Sequence, residues 1–220
     1  METSEIIAVL GGTGALGSGL ARRWARAGYQ VIIGSRDAAK AEAAAAELNK
    51  LGLTGPQVRG ASNADAARQA QIAVLAVPFE SQLSTLGQVT GEINGKILVD
   101  CTVPLRPPKV GTVQLPPEGS AAQISQGFVG PDVKVVSAFQ NIGAALLQSD
   151  SDHIDCDVLV CSDDVEARGV GVKLAKAAGL NAYEAGPLAN SAAAEALTSV
   201  LISINRFYKS DRAGLLITGI

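Results

Sequence analysis

A glycine-rich turn near the start of the chain is the feature that most restricts what it can fold into. Four glycines lie within residues 11–17, directly after the apolar run IIAVL and at the start of the helical pattern ALGSGLARRWARAGY. A glycine inside a regular element costs about 0.5–1 kcal/mol relative to alanine, so this position must need the missing side chains. Leu16, Leu20 and Trp24 recur at helical spacing. The order strand, glycine turn, helix predicts the start of an α/β domain.

Short apolar runs alternate with helical patterns along the following residues. Further strands are predicted at YQVIIGSR, IAVLAVP, GKILVDCTV and VKVVSAF, and helices at DAAKAEAAAAELNKLG, ASNADAARQAQ, FESQLSTLGQV and SAAQISQGF. In the second helix of the chain, Asp37 is predicted as the N-cap and Gly52 as the residue that stops the helix. Nearly continuous apolar strands in such an alternation are typical of a parallel sheet with helices on both faces. The predicted fold class is a doubly wound α/β sheet.

The last third of the chain predicts a smaller α/β unit. It contains a strand at DVLVCS, a helix at VEARGVGVKLAKAAG, a short strand at NAYEAG and a long helix over about 190–209. A segment with five prolines, residues 104–120, is the only long stretch that reads as a loop. We therefore predict a main domain over residues 1–140 and a smaller carboxy-terminal lobe over residues 141–220.

Composition excludes several classes of protein. A net charge of −3 without a basic stripe argues against a nucleic-acid partner. No apolar run reaches the ~18–20 residues that a membrane span requires, and the acidic start METSEIIAVL does not resemble a signal peptide. These features predict a cytoplasmic protein without a membrane partner.

The residues that commonly bind metals are few and poorly spaced. Three cysteines, Cys101, Cys156 and Cys161, are an odd number inside β-like runs, which indicates buried reduced thiols. The one histidine, His153, lies in the acidic segment SDSDHIDCD, which reads better as a solvated loop than as a metal site. We expect no metal ion.

The glycines match a nucleotide-binding motif in the context that the motif requires. Gly12, Gly14 and Gly17 follow the order G-x-G-x-x-G after a strand and at the start of a helix. One glycine permits the tight turn, one lets the backbone approach a pyrophosphate, and one allows close packing of helix and strand. The start of the helix then offers N–H groups to the phosphates. This pattern predicts a Rossmann-type dinucleotide site.

The end of the second strand predicts which dinucleotide binds. An NAD site carries Asp or Glu there, whereas this chain has Ser35 and Arg36. Lys40 lies one helical turn beyond Arg36. A serine hydroxyl and two cations suit the 2′-phosphate of NADP(H).

The carboxyl ends of the later strands should flank the same cofactor, because ligands of such sheets lie there. They carry Val77 and Pro78, the stretch Thr102–Pro104, and Ser137 with Ala138. No Ser-His-Asp set, C-x-x-C or H-E-x-x-H motif occurs. The sequence therefore predicts hydride transfer in which the cofactor carries the chemistry and no side chain is assigned as catalytic.

Seven segments, in this order along the chain, carry a family resemblance: GGTGALG, IIGSRDAAKAE, LAVPFES, VVSAFQNI, CDVLVCSDD, EAGPLANS and NRFYK. With them the chain resembles the NADPH-dependent reductases of the deazaflavin coenzyme F420, over essentially its whole length. The resemblance implies hydride transfer between nicotinamide and deazaflavin, and a homodimer. It also implies that the reduced deazaflavin remains anionic, so that no proton donor is obligatory.

The resemblance extends to individual positions. It implies that Thr13, Gly14, Ala15 and Leu16 hold the pyrophosphate, that Ser35, Arg36 and Lys40 hold the 2′-phosphate, and that Val77, Ser81, Val103 and Ala138 line the rest of the NADP(H) site. The candidate substrate-binding residues are Gln140, Asn141, Leu188 and Arg206.

Two departures from the family pattern concern the second substrate. Relatives often carry His where this chain has Gln140, which accepts and donates hydrogen bonds but does not relay a proton. The strand end Asp100-Cys101-Thr102 is also less apolar than in the family. Two alternatives therefore remain beside deazaflavin reduction. One is an NADPH-dependent reductase of a flavin, imine or carbonyl, and the other is a non-catalytic NADP(H)-sensing module.

Overall fold

A six-stranded parallel sheet forms the centre of the computed structural model, which describes residues 5–53 and 55–220. In spatial order its strands are β3 (Arg59–Ser62), β2 (Gln30–Ser35), β1 (Ile6–Leu10), β4 (Ile72–Leu75), β5 (Ile97–Asp100) and β6 (Lys134–Ser137). Every neighbouring pair is parallel. The chain builds outward from β1 in both directions, so the crevice between the ends of β1 and β4 is where such sheets bind ligands. The doubly wound prediction is confirmed.

Helices cover both faces of this sheet. On one face lie α1 (Ala15–Arg26) and α2 (Ala38–Asn49), and on the other lie α3 (Asn63–Gln69), α4 (Gln82–Gly87) and α5 (Ala121–Val129). Side chains of β1 alternate between the two cores, with Ile7 and Val9 in the first and Ala8 and Leu10 in the second. Both cores exclude water from the strands, which explains why the strands are apolar on both sides.

The carboxy-terminal third adds a second, two-stranded sheet. Its elements are α6 (Ala144–Leu147), β7 (Ile154–Val160), α7 (Val165–Ala177), β8 (Leu180–Glu184) and α8 (Ser191–Tyr208). An antiparallel bridge joins Ser137 at the end of β6 to Cys161 after β7. Residues of both sheets share one buried core. A division into two domains near residue 140 stays a prediction.

Most element boundaries follow local signals in the sequence. The Asp37 carboxylate accepts hydrogen bonds from the N–H groups of Ala39 (3.1 Å) and Lys40 (3.4 Å), as an N-cap does. Gly28 follows α1 with φ +91°, and Gly52 follows α2 with φ +62°. The predicted N-cap Asp37 and the predicted stop Gly52 are confirmed.

Three short elements differ from the sequence expectation. Residues 59–62 form β3, although RGAS is hardly apolar, because an edge strand buries little of its surface. The helix predicted to begin at Ala61 begins instead at Asn63, with the Ser62 hydroxyl as its cap. The single turn of α6 was not predicted either.

Other features agree with the sequence. The three cysteines are buried and free, as predicted. None of the helices in the described residues is long and apolar enough to cross a membrane. Residues 1–4, on which the expectation of no signal peptide partly rests, lie outside the described residues.

A buried arginine fixes the acidic segment before β7. The Arg23 side chain is 4% exposed and donates to the carbonyl oxygens of Leu147 (3.0 Å), Ser149 (2.8 Å) and Ser151 (2.5 Å). Burial, together with neighbouring arginines, lowers the pKa of Arg23. These bonds offset the cost of burying a guanidinium. Because Arg23 lies in the last turn of α1, the segment is held at the end of the sheet opposite the glycine turn.

The His153 segment therefore lies at the other end of the sheet from the crevice between β1 and β4. Asp150 and Asp152 pair with Arg22 and Arg26 while their side chains stay 92% and 88% exposed. Among the described residues, no group of His, Cys, Asp and Glu side chains is arranged to hold a metal ion.

A buried carboxylate joins α8 to α5. Glu195 is 1% exposed, and its oxygens accept from the N–H groups of Ala121 (2.6 Å) and Ala122 (3.1 Å). Burial, opposed by the two N–H donors and assisted by the nearby Asp100 carboxylate, raises the pKa of Glu195 to about 8. The side chain consequently binds a proton in the folded state that it releases on unfolding near neutral pH.

This carboxylate should make the folded state less stable as the pH rises. Its pKa increases from 4.5 to about 8 on folding, so its contribution is complete below about pH 4.5 and is lost up to about pH 8. The free energy of unfolding should fall by about 1 kcal/mol per pH unit from this group between pH 5 and 8. Urea unfolding should give a flatter profile for Glu195→Gln. The exposed control Glu118→Gln should keep the wild-type slope, and equal slopes in wild type and Glu195→Gln would contradict the assignment.

Candidate active site

The glycine turn between β1 and α1 has two kinds of glycine. A Cβ on Gly12 would lie 2.8 Å from the carbonyl oxygen of Val9, and one on Gly17 would lie 2.8 Å from the Cα of Gly12. At those two positions the backbone of the protein leaves no room for a side chain. A Cβ on Gly14 would have Gly11 O, at 3.5 Å, as its nearest described neighbour. Packing within the chain therefore does not require glycine at position 14, which points to a requirement from a bound molecule.

The start of α1 is open to an anion. Gly14 is the N-cap residue and supplies no side chain, so no side-chain cap occupies the first N–H groups of α1. Asp37, Ser62, Ser120 and Asp164 fill this role in four other helices. Thr13, Gly14 and Ala15 are also exposed. Free N–H groups at the positive end of the helix dipole suit a phosphate.

A cleft of about 190 Å³ adjoins this turn at the carboxyl ends of β1–β4. Seven of the residues predicted for the NADP(H) site line it: Thr13, Gly14, Ser35, Arg36, Val77, Pro78 and Ser81. Four further residues complete its wall: Gly11, Asn63, Ala76 and Thr85. The structure therefore brings the glycine turn, the end of β2 and the end of β4 together.

The end of β2 presents cations and no free carboxylate. The Ser35 hydroxyl accepts from Asp37 N at 3.2 Å, and the Asp37 carboxylate caps α2 as described above. Arg36 and Lys40 are exposed. In the described part of the chain neither forms a salt bridge. Both cations are thus available to a phosphate group.

The remaining residues predicted for the cofactor lie nearby but do not line this cleft. Gly12 and Gly17 are buried in the turn, and Leu16 packs against the core under α1. Val103 follows β5 and is partly buried. Ala138 is fully buried after β6 and its N–H donates to Asp100 O at 3.2 Å.

The turn after β6 carries two of the four predicted substrate-binding residues. Gln140 Nε2 donates to Asp100 O (2.8 Å) and to Ser137 Oγ (2.9 Å). Asn141 Nδ2 donates to Asp157 O (2.7 Å). The two amides are only 4% and 3% exposed, so both are fixed from within the protein.

The other two predicted substrate-binding residues lie elsewhere. Leu188 is buried against α5 and β6 and borders a separate cavity of about 760 Å³. Arg206 is exposed on α8, with its guanidinium beside Gly111 of the proline-rich segment. A role for Leu188 in substrate binding stays a prediction.

Buried side-chain oxygens without a hydrogen-bond partner gather at one edge of the molecule. Within residues 5–53 and 55–220 they belong to Asn63, Gln82, Thr102, Gln140 and Asn141. All five residues follow, or pack beside, the carboxyl ends of β3–β6. Buried polar atoms are normally paired, so this concentration marks the edge as a place where a ligand supplies donors. Sequence reasoning missed Asn63 because it missed β3.

Ionisable groups near β5 serve the structure. The fully buried Asp100 carboxylate accepts from Ser125 Oγ (2.6 Å), from Gln82 Nε2 (3.0 Å) and from Thr102 N (2.8 Å). Burial, with Asp100 next to it, raises the pKa of the Cys101 thiol well above its usual range. A neutral thiol and a fully hydrogen-bonded carboxylate offer neither a nucleophile nor a free base.

Comparison with known proteins identifies the family. The chain is 41% identical to the F420-dependent NADP reductase of Methanocaldococcus jannaschii, over 97% of this chain and 98% of that protein. The chain belongs to the F420-dependent NADP reductase family. It is also 42% identical to the F420-dependent NADP reductase of Methanothermobacter thermautotrophicus, over 97% of this chain and 95% of that protein.

The family model and a solved structure agree with this membership. The model described as NADP oxidoreductase, coenzyme F420-dependent, matches residues 6–104. A crystal structure from Arthrobacter sp. FB24, provisionally described as an F420-dependent NADP-reductase, superposes with a TM-score of 0.79 at 28% identity. It covers 97% of this chain and 99% of the other. The family predicted from the seven segments is confirmed.

Two glycine substitutions should separate ligand binding from folding. Gly14 has φ −78° and ψ 165°, which alanine adopts freely, so Gly14→Ala should cost less than about 1 kcal/mol of stability. The new methyl group should weaken NADPH binding at least about tenfold. Gly17→Ala should instead destabilise the fold by about 1–3 kcal/mol, because its Cβ meets backbone. Urea unfolding and titration calorimetry measure the two effects, and wild-type NADPH affinity in Gly14→Ala would refute the pyrophosphate assignment.

Proposed function

We propose that the protein transfers a hydride between NADP(H) and the deazaflavin coenzyme F420. The observation that carries this proposal is the identity of 41–42% with F420-dependent NADP reductases over 97% of the chain. An identity of this size over nearly the whole length covers the Rossmann-type sheet together with the carboxy-terminal elements. It favours this reaction over reduction of another acceptor and over a sensing role without turnover.

The residues at the carboxyl ends of β1 and β2 would hold NADP(H). The backbone of Gly12–Leu16 would face the pyrophosphate, and the start of α1, which has no side-chain cap, would add N–H donors. Ser35, Arg36 and Lys40 would bind the 2′-phosphate. Bound NADPH supplies the hydride. Pro78 and the neighbouring Val77, Ser81, Val103 and Ala138 would line the path from the phosphates to the nicotinamide.

Coenzyme F420 would lie against the turn after β6. The pyrimidine ring of a deazaflavin carries an N–H donor, and Gln140 Oε1 and Asn141 Oδ1 are acceptors without a partner among the described residues. The phosphate and glutamate tail of coenzyme F420 is anionic. Arg206 and Arg106 would face it across the proline-rich segment, where Ser203 Oγ donates to Gly111 O at 2.8 Å.

The side chains position the two rings and exclude water, and none is assigned as an acid or base. The buried Asp100 carboxylate accepts hydrogen bonds from Gln82, Ser125 and the backbone of Thr102, and the buried Glu195 carboxyl group accepts from the N–H groups of Ala121 and Ala122. Direct hydride transfer needs the two reacting carbons in contact rather than a proton relay.

Steady-state kinetics with both nicotinamide cofactors tests the reaction and the cofactor assignment together. Wild type should reduce oxidised coenzyme F420 with NADPH, and kcat/KM should favour NADPH over NADH by about 10²–10³. Arg36→Ala should reduce this preference by about ten- to a hundredfold, because it removes a charge-assisted hydrogen bond. Lys50→Ala, at the other end of α2, should leave it unchanged.

Loss of deazaflavin absorbance follows the reaction directly. Turnover with FMN or an imine but not with coenzyme F420 would contradict the proposed substrate. Equal efficiency with NADH and NADPH in wild type would contradict the assignment of Ser35 and Arg36.

We also propose that the protein is a homodimer in the cytoplasm, without nucleic-acid or membrane partners. The outer face of α8 supports the dimer. Val200, Ile204, Phe207 and Tyr208 form an apolar stripe, and Phe207 and Tyr208 are 80% and 72% exposed. Aromatic residues at such exposure are typical of subunit interfaces.

A charge placed in this stripe should separate the subunits. Phe207→Glu should elute as a monomer in size-exclusion chromatography with light scattering, because a buried carboxylate without a partner is costly. Val165→Glu, at an exposed apolar residue of α7, should remain dimeric. A monomeric wild type at micromolar concentration would contradict the dimer.

A further inference from the structure

A strained turn follows β6. Phe139 has φ +74°, in the left-handed region that residues other than glycine seldom adopt. Such a conformation costs about 1–3 kcal/mol and persists only where the surroundings enforce it. Residues held in this way cluster at ligand sites, and Phe139 immediately precedes Gln140 and Asn141. Surrounding contacts must therefore hold the turn in this conformation.

Contacts from three separate elements, α1, α8 and β7, hold the turn after β6 in place. The Phe139 ring is fully buried, with its centroid 5.8 Å from that of Trp24 on α1. On α8, Thr198 Oγ1 donates to Gln140 O at 2.8 Å. On β7, the carbonyl oxygen of Asp157 accepts a hydrogen bond from Asn141 Nδ2 at 2.7 Å.

The carboxy-terminal tail, residues 210–220, packs against β7, the strand that contacts the turn through Asp157. It leaves α8 and lies along the free edge of β7, where Asp157 N donates to Leu215 O at 2.8 Å and Leu215 N donates to Cys156 Sγ at 3.4 Å. Asn141 Nδ2 also lies 3.8 Å from the same sulfur. A Cβ on Gly143 would come within 3.1 Å of Asp211 O, so the tail touches the turn directly as well.

One carboxylate joins the tail to the strand beneath the turn. Asp157 is 1% exposed, and its Oδ2 accepts from Ile217 N at 2.6 Å. Its Oδ1 accepts from Asn181 Nδ2 on β8 at 3.2 Å. A charge-assisted hydrogen bond in a buried setting is among the stronger contacts available to a tail that is otherwise largely exposed. Two hydrogen bonds to Asp157 therefore connect Ile217 in the tail to Asn141 in the turn.

We propose that the carboxy-terminal tail is a positioning element of the substrate site, fastened through Ile217 N–H and Asp157 so that Gln140 and Asn141 are held for the second substrate. The proposal rests on the proposed function, because the turn is taken as the site of coenzyme F420. Asp157 and Ile217 act through the turn and do not touch the reacting rings. The nucleotide cleft lies on β1–β4 and is independent of the tail.

Substitution of Ile217 by proline removes the donor N–H and leaves the rest of the tail in place. In Ile217→Pro the KM for coenzyme F420 should rise about tenfold while the KM and Kd for NADPH stay at wild-type values, and the melting temperature should fall only by the few degrees that one unpaired carboxylate oxygen costs. Ile217→Ala keeps the backbone N–H and should have the wild-type KM for coenzyme F420. Ile220→Pro is the matched control, because Ile220 is 83% exposed and makes no hydrogen bond within the described residues.

Amide hydrogen exchange provides a readout that does not depend on turnover. Peptides that cover residues 139–143 should exchange faster in Ile217→Pro than in wild type and in Ile220→Pro. Exchange and KM at wild-type values in Ile217→Pro would overturn the proposal. So would equal increases of both KM values, or a change of mass in solution, which would assign the tail to general stability or to subunit assembly. Absence of coenzyme F420 turnover in wild type would contradict the proposed function instead.

Discussion

The contact between α1 and the turn after β1 is the constraint on which the rest of the molecule depends. A Cβ on Gly17 would lie 2.8 Å from the Cα of Gly12, so α1 begins in direct contact with the end of β1. This approach places the N–H groups of the first helical turn at the carboxyl edge of the sheet. It also sets the course of α1, whose far end binds the segment before β7 through Arg23. The proposed phosphate site and the docking of the carboxy-terminal elements therefore follow from one close packing of backbone.

A second constraint operates at the ends of β5 and β6, where the site is built from buried polar groups. Asp100, fully buried, fixes Gln82, Ser125 and the backbone of Thr102, and its carbonyl oxygen fixes Gln140. Hydrogen bonds to a buried carboxylate are strong in a low-dielectric interior, so these contacts favour one arrangement of the network. Within the described residues, this network leaves the side-chain oxygens of Gln82, Thr102 and Gln140 without a partner. Preorganised acceptors lower the cost of ordering the site when a ligand binds.

The nucleotide half of the site could be read from the sequence because its determinants are local. The glycine spacing, Ser35, Arg36 and the N-cap Asp37 all lie within one βαβ unit, where periodicity and capping rules apply. The substrate half could not be read in this way. Asn63 escaped notice because β3 is a short edge strand with little apolar pattern. The tail escaped notice because its contact with Asp157 joins residues 60 positions apart.

The sequence by itself determined the alternation of strands and helices, the glycine turn before α1 and the cationic end of β2, since each follows from the steric and hydrogen-bonding properties of neighbouring residues. Only the tertiary structure decided which buried oxygens remain free at the carboxyl edge and that Phe139 adopts a positive φ. It also decided that Leu188 packs against α5 rather than beside the nucleotide cleft. These outcomes depend on how distant segments share one interior, because the pairing of a buried polar atom is fixed by whatever folds against it.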